Sequence, residues 1–295
     1  MSAQAVMKRS GPAMVDGEFL FTETDFRRIA AMVHGDAGIA LPETKATLVY
    51  SRLAKRLRAL GIASFNDYCA LVAGQDGVDE RQKMLASLTT NVTRFFREPH
   101  HFDHLRRELL PQLVASVRAG GKARIWSSAC SSGQEPYSIA MTLLSVAPDA
   151  ANLDIKILAT DIDPNVVREA RAGIYSTSLL SGMPEDLRKR WTQAVPGRPG
   201  YVEIADEAKA LITFNELNLI GEWPMKGRFD AIFCRNVAIY FDDDTQARLW
   251  SRFAGMMPPE GRLYIGHSER VAGPAAGSFT PDGITTYRLT REAVR

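Results

Sequence analysis

The segment Arg124-Ile-Trp-Ser-Ser-Ala-Cys-Ser-Ser-Gly-Gln-Glu-Pro-Tyr-Ser138 has the residue types of a ligand-holding strand, turn and helix start. Small residues in the turn let backbone approach a bound molecule closely at a strand's carboxyl end, where open α/β sheets hold cofactors. Gly133 is its single glycine, so it is not the dinucleotide fingerprint G-x-G-x-x-G. Glu135 stands where a pyrophosphate would otherwise meet the helix N-terminus. A carboxylate there repels phosphate and suits a cationic ligand, such as the sulfonium amino acid S-adenosylmethionine. Equally, a first-turn glutamate can do no more than complement the helix dipole.

Other constellations extend this chemistry. In Leu158-Ala-Thr-Asp-Ile-Asp-Pro164, Asp161 ends an apolar run and is placed to accept hydrogen bonds from ribose hydroxyls. Asp163, just before Pro164, reads as a helix N-cap. Arg228-Phe-Asp-Ala-Ile-Phe-Cys-Arg-Asn-Val-Ala-Ile-Tyr-Phe241 brings Arg235, Asn236 and Tyr240 to one rim of a sheet, although Tyr240 and Phe241 can also simply pack. Thr89-Thr-Asn-Val-Thr-Arg-Phe-Phe-Arg-Glu-Pro99 is polar and aromatic at once, unlike a plain linker. Its Asn91, Thr93 and Arg97 could close over a ligand. His100, His101 and His104 lack the cysteine or carboxylate frame of a metal centre and read as packing or helix-surface residues, so no metal is expected. No cysteine has a companion signature for thiol catalysis.

Two kinds of element must position these groups. From Phe19 to Leu88 the apolar spacing is helical. Thr24 or Asp25 can cap a first helix that Gly35 and Gly38 break. Pro42 opens a second, which Gly61 stops; a third follows Ser64; a fourth runs from about Asp79 to Leu88. From residue 122, short apolar runs alternate with helical ones, which predicts a parallel α/β sheet covered on both faces. Its strands are Lys122–Ser127, Ile155–Thr160, Phe229–Cys234, Arg262–Ile265 and Thr285–Leu289. Between them, Tyr201–Ile204 and Leu211–Phe214 read as a small antiparallel β insertion spanning about residues 174–217. The organisation expected is a flexible leader (1–18), a helical domain (19–88), a linker contributing to the site (89–98) and an α/β domain (99–295).

The second helix carries its own signal. From Thr44 to Asn66 lie the basic residues Lys45, Arg52, Lys55, Arg56 and Arg58, and no acidic one. Arg52, Lys55 and Arg56 share a face, with Arg58 beside Lys55. That is either a solvated face or a dock for an acidic partner, and the missing acids favour the dock. The whole chain is otherwise ordinary: 295 residues, 36 basic and 34 acidic, 45% hydrophobic. This excludes a disordered or tail-like protein, and a net charge of +2 speaks against wholesale coating of nucleic acid. No run is long enough to span a membrane, no signal-peptide core is visible, and three scattered cysteines suit a reducing cytoplasm.

Taken together, Asn-Val-Thr-Arg-Phe-Phe-Arg-Glu-Pro, Trp-Ser-Ser-Ala-Cys-Ser-Ser-Gly-Gln-Glu-Pro-Tyr-Ser, Ala-Thr-Asp-Ile-Asp, the Phe229–Phe241 run and Gly-His-Ser-Glu269 resemble the chemotaxis receptor methyltransferases of the CheR family, in the family's order and over nearly the whole chain. The resemblance implies an all-α N-terminal domain followed by a Rossmann-like S-adenosylmethionine-dependent methyltransferase domain with a small β insertion. It also implies methylation of glutamate side chains on the cytoplasmic helices of chemoreceptors, leaving S-adenosylhomocysteine. By motif match the cofactor residues are Asn91, Thr93, Arg97, Glu135, Asp161, Asn218, Leu219, Asn236 and Val237, with Arg97 and Tyr240 near the transferred methyl. Arg52, Lys55, Arg56 and Arg58 would meet the acidic receptor. A cytoplasmic monomer without membrane insertion is expected. In the family the β subdomain can tether a receptor's C-terminal peptide, but the loop Thr192–Tyr201 departs from the tethering members. Two other classes are weighed beside this one. A nucleic-acid methyltransferase would use the basic helix as a phosphate grip, yet the site lacks an Asn/Asp-Pro-Pro-aromatic run. A non-catalytic module would sense S-adenosylmethionine without transferring from it.

Overall fold

The computed structural model describes residues 12–290. The chain divides into two compact units, Met1–Thr89 and Thr90–Arg295.

The first unit is helical: α1 (Glu23–Ala37), α2 (Ala46–Leu60), α3 (Phe65–Ala73) and α4 (Val78–Leu88). Each start and stop has a local cause. Thr22, rather than Thr24 or Asp25, caps α1: its hydroxyl accepts from the Asp25 amide while the Asp25 carboxylate accepts from the Thr22 amide. This reciprocal box satisfies two orphan donors, so the helix begins earlier than the capping residues alone predict. It runs through Gly35 and ends at Gly38, whose φ of 70° suits glycine. A short 3-10 turn, Glu43–Lys45, follows Pro42 and delays α2 to Ala46. Ser64 caps α3 through the Asp67 amide. Phe21, Phe26, Ile29, Val49, Leu53, Phe65 and Tyr68 form the buried interior.

The expected leader is partly built into this unit. Ala13 bridges to Thr22, and the Phe19 amide donates to the Tyr50 hydroxyl at 3.2 Å. A Cβ at Gly17 would lie 2.0 Å from that hydroxyl, so the chain passes flush against Tyr50. Residues 1–11 of the leader lie outside the described residues.

The second unit opens with α5 (Pro99–His104), a π turn over Leu105–Leu109 and α6 (Leu110–Arg118). Pro111 supplies no N–H to the ladder, and the π turn falls just before it. There follow β1 (Ala123–Ser127), α7 (Gln134–Val146), β2 (Ile155–Asp161), α8 (Pro164–Ala172), β3 (Ile174–Ser176), α9 (Glu185–Trp191), β4 (Thr192–Ala194), β5 (Tyr201–Ile204), α10 (Asp206–Lys209), β6 (Ile212–Glu216), β7 (Ala231–Cys234), α11 (Asp243–Gly255), β8 (Arg262–Ile265), β9 (Phe279–Gly283) and β10 (Thr286–Leu289). Seven strands form one sheet in the order β6-β2-β1-β7-β8-β10-β9, parallel except for the antiparallel β10 against its two neighbours. A separate antiparallel sheet has the order β3-β5-β4.

Several strands differ from expectation: β3 and β4 join Tyr201–Ile204 in the small sheet, β10 is antiparallel where a parallel strand is expected, and β6 and β9 also differ. Leu211–Phe214 does not belong to the β insertion. As part of β6 it pairs in parallel with β2, from Ile157↔Ile212 to Asp161↔Glu216, so the small sheet ends at Ile204. Periodicity cannot say which sheet a short strand joins, and here a parallel edge beside β2 won. Strand β9, not among the expected strands, contains Pro281 and Gly283, residues disfavoured inside a sheet; it lies at the edge, where a missing donor is tolerated.

Candidate active site

In the large sheet, β1 lies between β2 and β7, so the chain order runs outward in both directions from it. Ligands of such sheets bind beyond the carboxyl ends of the strands at this switch point. Four carboxyl ends converge there in sequence terms: Ser127 ends β1, Asp161 ends β2, Cys234 precedes Arg235 and Asn236, and Glu216 precedes Leu217 and Asn218.

The core of the site is an ion pair. Glu135, in the first turn of α7, accepts from the Ser127 hydroxyl at 2.8 Å and from Arg235 Nη1 at 3.0 Å. The Arg235 side chain is 2% exposed. Its Nη2 also donates to the Arg97 carbonyl and lies 3.4 Å from Glu98 Oε2, and its plane sits over the Phe102 ring. Burial raises the Glu135 pKa, and Arg235 and Ser127 oppose that rise. Burial also works against an ionised Glu98, but hydrogen bonding from His267 and the charge of Arg235 outweigh it and hold its pKa at about 2. Glu135, expected to meet a cationic ligand or the helix dipole, first meets a resident cation, Arg235. Arg235 was visible at the rim but without a partner, because that partner lies 100 positions away.

Asp161 is buried and accepts the Ser131 amide at 2.8 Å and the Asp163 amide at 3.1 Å, one on each oxygen. A carboxylate oxygen has further acceptor capacity, so both can still take hydroxyls. Burial raises its pKa, and the two amides oppose the shift. Asp163 caps α8 through the Asn165 amide, and its other oxygen accepts from the Asn91 side chain at 2.9 Å.

The stretch Thr90–Glu98 belongs to the second unit and is held like a structural element. The Asn91 carbonyl accepts from Ser131, the Phe96 amide donates to Ser138, and Phe95 is buried edge-on to Tyr175. Arg97 donates to the Val92 carbonyl at 3.0 Å, which curls the segment on itself. Thr93 is half-buried.

Asn236 and Val237 sit in a turn with a specific anchor. Asn236 has φ 60°, a conformation that asparagine tolerates better than most residues. The Glu269 carboxylate accepts four backbone amides: Gly266 at 2.5 Å, Asn236 and Val237 at 2.9 Å each, and Ile239 at 3.3 Å. Gly266 makes room for this, because a Cβ there would lie 2.8 Å from Glu269 Oε2. The acid of the motif Gly-His-Ser-Glu269 is thus the anchor of this turn. Its signal is a lone acid after a strand, which is too common to interpret without the turn it holds. Tyr240 ends the short 3-10 turn Ala238–Tyr240 beyond this anchor and is half-buried. Asn218 folds its side-chain oxygen back onto the Ile220 amide, and Leu219 is buried.

On α2 the four basic residues separate. Arg56 is bound to the buried Glu80 by two hydrogen bonds of 2.8 and 2.6 Å, and Tyr68 donates to the same carboxylate. Arg52 donates to the Ser87 and Thr89 carbonyls at the end of α4. Arg58 is exposed and pairs with Glu18, and Lys55 is exposed. The acids missing from the helix itself are supplied by Glu18 and Glu80.

His101 is fully buried, shares a hydrogen bond with the Thr285 hydroxyl and packs edge-on to Tyr264; His104 bonds the Tyr264 hydroxyl. Glu98, His100 and His101 offer ligand atoms within 4.8 Å of one another, the spacing of a metal site among the described residues. Arg235 lies against the same Glu98 oxygen that faces His101, which supplies positive charge there already. All three cysteines are buried and free, and burial raises each thiol pKa, that of Cys69 to about 11.

A buried strand-end acid at the switch point of such a sheet, in a chain that also carries an all-α unit, fits a methyltransferase that binds S-adenosylmethionine. The description "CheR methyltransferase, SAM binding domain" matches residues 91–287, and "CheR methyltransferase, all-alpha domain" matches residues 24–89. The chain belongs to the CheR methyltransferase family. It is 56% identical over 265 residues to the probable chemotaxis protein methyltransferase of Rhizobium etli, covering 89% of this chain and 98% of the relative. Against the chemotaxis protein methyltransferase of Escherichia coli it is 40% identical over 280 residues, covering 92% of each chain. Against chemotaxis protein methyltransferase 2 of Pseudomonas aeruginosa it is 42% identical over 271 residues, covering 89% of this chain and 93% of the relative. No helix among the described residues is long and apolar enough to cross a membrane.

Proposed function

We propose that this methyltransferase esterifies glutamate side chains on the cytoplasmic domains of chemoreceptors, in chemotaxis adaptation. The site's acceptors fit S-adenosylmethionine: buried Asp161 retains acceptor capacity for ribose hydroxyls, and a carboxylate, Glu135, rather than a phosphate-binding amide cradle stands in the first turn of α7. When bound, the cofactor supplies a sulfonium methyl whose carbon bonds to the glutamate oxygen as its bond to sulfur breaks, leaving S-adenosylhomocysteine.

The observation that carries the reading is that the buried acid and base groups around Arg235 are already engaged within the chain. Glu135 is committed to Arg235 and Ser127, His101 is pushed by burial to a pKa of about 3, and Glu98 is held at about 2. Such a site suits a nucleophile that is already ionised. A glutamate, with an ordinary pKa of about 4.3, is one at neutral pH. Orientation and exclusion of water then do most of the catalysis. Asn91, Thr93, Arg97, Asn218, Leu219, Asn236 and Val237 hold the cofactor beside Glu135 and Asp161. Arg97 and Tyr240 orient the substrate carboxylate and transfer no proton. Lys55 and Arg58 on α2 attract the acidic receptor, while Arg56 serves the helical unit's own interior and Arg52 the end of α4.

The test mixes full-length protein, methyl-labelled S-adenosylmethionine and receptor cytoplasmic fragments. The expected product carries base-labile label released as methanol. Tight cofactor binding with no label on any fragment would overturn the reading in favour of a sensing module. Label on RNA, with binding that falls steeply with salt, would favour a nucleic-acid methyltransferase.

A further inference from the structure

The loop that follows β6 carries Asn218 and Leu219 and continues through Trp223. Buried Leu219 and the Trp223 ring anchor it by packing, and between the loop and α11 lies a cavity of about 410 Å³, lined by Leu219, Ile220, Glu222, Thr245, Arg248 and Arg252 among others. One side chain of that lining holds the loop's backbone. Arg252, on the third turn of α11, donates from Nη1 to the Leu219 carbonyl at 2.7 Å and the Ile220 carbonyl at 3.3 Å, and from Nη2 to the Gly221 carbonyl at 2.6 Å. Its guanidinium carbon lies 3.8 Å from the centre of the Trp223 ring. Trp223 in turn stacks on Phe253 and meets the buried Trp126 of β1 edge-on. Three consecutive carbonyls and one aromatic face are thus fixed by a single planar cation.

We infer that Arg252 is a positioning residue for cofactor binding, acting through the Leu219–Gly221 backbone. The inference rests on the reading that Asn218 and Leu219 face S-adenosylmethionine. The guanidinium's fixed fork matches several carbonyls at once and stacks on indole; a lysine ammonium is a point charge that can reach one of them. With the fork removed, the three carbonyls lose their donor and the Trp223 face its cation, so the backbone between the Leu219 and Trp223 anchors is less ordered. The ligand must then bear the ordering cost when it binds. Chemistry at the reacting atoms, which Arg252 does not touch, should persist once the cofactor is saturating.

The experiment uses the full chain with S-adenosylhomocysteine as the probe, titrated by calorimetry, beside methyl-transfer kinetics on receptor fragments. Arg252→Met should weaken S-adenosylhomocysteine binding about tenfold, the loss of one charged hydrogen-bonding group. The KM for S-adenosylmethionine should rise in step, with kcat within about threefold of the parent, a split that general destabilisation would not give. Arg252→Lys should recover only part of the affinity, and it serves as the variant if the methionine form does not fold. Asn218→Ala, measured in parallel, separates the two layers. If it weakens binding while both Arg252 variants bind like the parent, the inference is overturned and the loop's role stands. If Asn218→Ala binds normally, the reading of the loop fails and the inference with it.

Discussion

The Arg235 side chain is 2% exposed and meets Glu135, Glu98 and the Arg97 carbonyl, whereas the Arg58 side chain is 54% exposed and meets Glu18. Both residues are arginines with carboxylate partners within hydrogen-bonding reach. Removing one partner of a buried pair strands the other charge away from water, while an exposed pair trades against solvent and contributes little. The comparison teaches that basic residues of this chain divide by burial into those that build it and those free to meet something else. Arg56, although on the same helix as Arg58, belongs with Arg235.

The largest effect should follow Arg235→Met. It leaves Glu135 and Glu98 buried without their cation, which should cost about 3–5 kcal/mol of stability and abolish S-adenosylhomocysteine binding. Urea unfolding and calorimetry check both. A stable variant that still binds would break the contrast between the two regions. Next, Arg56→Ala should cost about 2–4 kcal/mol, because Glu80 is buried and keeps only Tyr68 as its donor. If receptor methylation fell while unfolding stayed unchanged, Arg56 would move to the docking group.

Asp161→Asn should weaken cofactor binding about tenfold and cost about 1–3 kcal/mol of stability, since one of the two buried amides that the carboxylate accepts would then face the side-chain NH2 instead of an oxygen. Calorimetry against thermal unfolding separates the two outcomes. The smallest effect on stability should come from Lys55→Ala with Arg58→Ala, within about 0.5 kcal/mol. That double variant should raise the KM for receptor fragments several-fold, flatten its salt dependence and leave S-adenosylhomocysteine binding unchanged. An unchanged KM would leave α2 a solvated face.

The buried region should also respond to acid. The folded pKa of Glu98, about 2, is below its ordinary 4.5, so the stability it contributes is present above about pH 4.5 and lost as the pH falls toward 2. His101 is likewise depressed, from 6.5 to about 3, and its contribution is complete above about pH 6.5 and lost on the way down to 3. Both act in one direction, opposite to buried Glu135 and Asp161, whose raised pKa values favour the folded state as the pH falls, so removing one group isolates its share of the acid response. His101→Gln should flatten the slope between pH 6.5 and 4.5, and an unaltered slope would place the titration elsewhere.

Much of the sheet unit was legible because its signals are local. Asp163 before Pro164, Gly133 before α7 and the apolar Ile155–Thr160 run each act within a few residues of themselves. The acceptor at the end of β2 could be identified for the same reason. The site's framework was less legible. Arg235 reaches Glu135 across 100 positions, Glu269 reaches the Asn236 amide across 33, and Arg252 reaches the Leu219 carbonyl across 33. No spacing rule relates residues so far apart, since only the closure of the sheet brings them within reach.

The sequence alone determined the helical unit, the alternating strands and helices, the strand-end acceptors and the motif order that marks the family. These depend on periodicity, capping and residue type, which are properties of short stretches. Tertiary structure alone decided that β6 joins the large sheet, that Glu80 and Glu18 engage two of the basic residues on α2, and that Glu135 meets a buried arginine before any ligand. The reason is physical: a charged or edge group is satisfied by whatever partner folding places within about 3 Å, and that partner is set by topology rather than by neighbours in the chain.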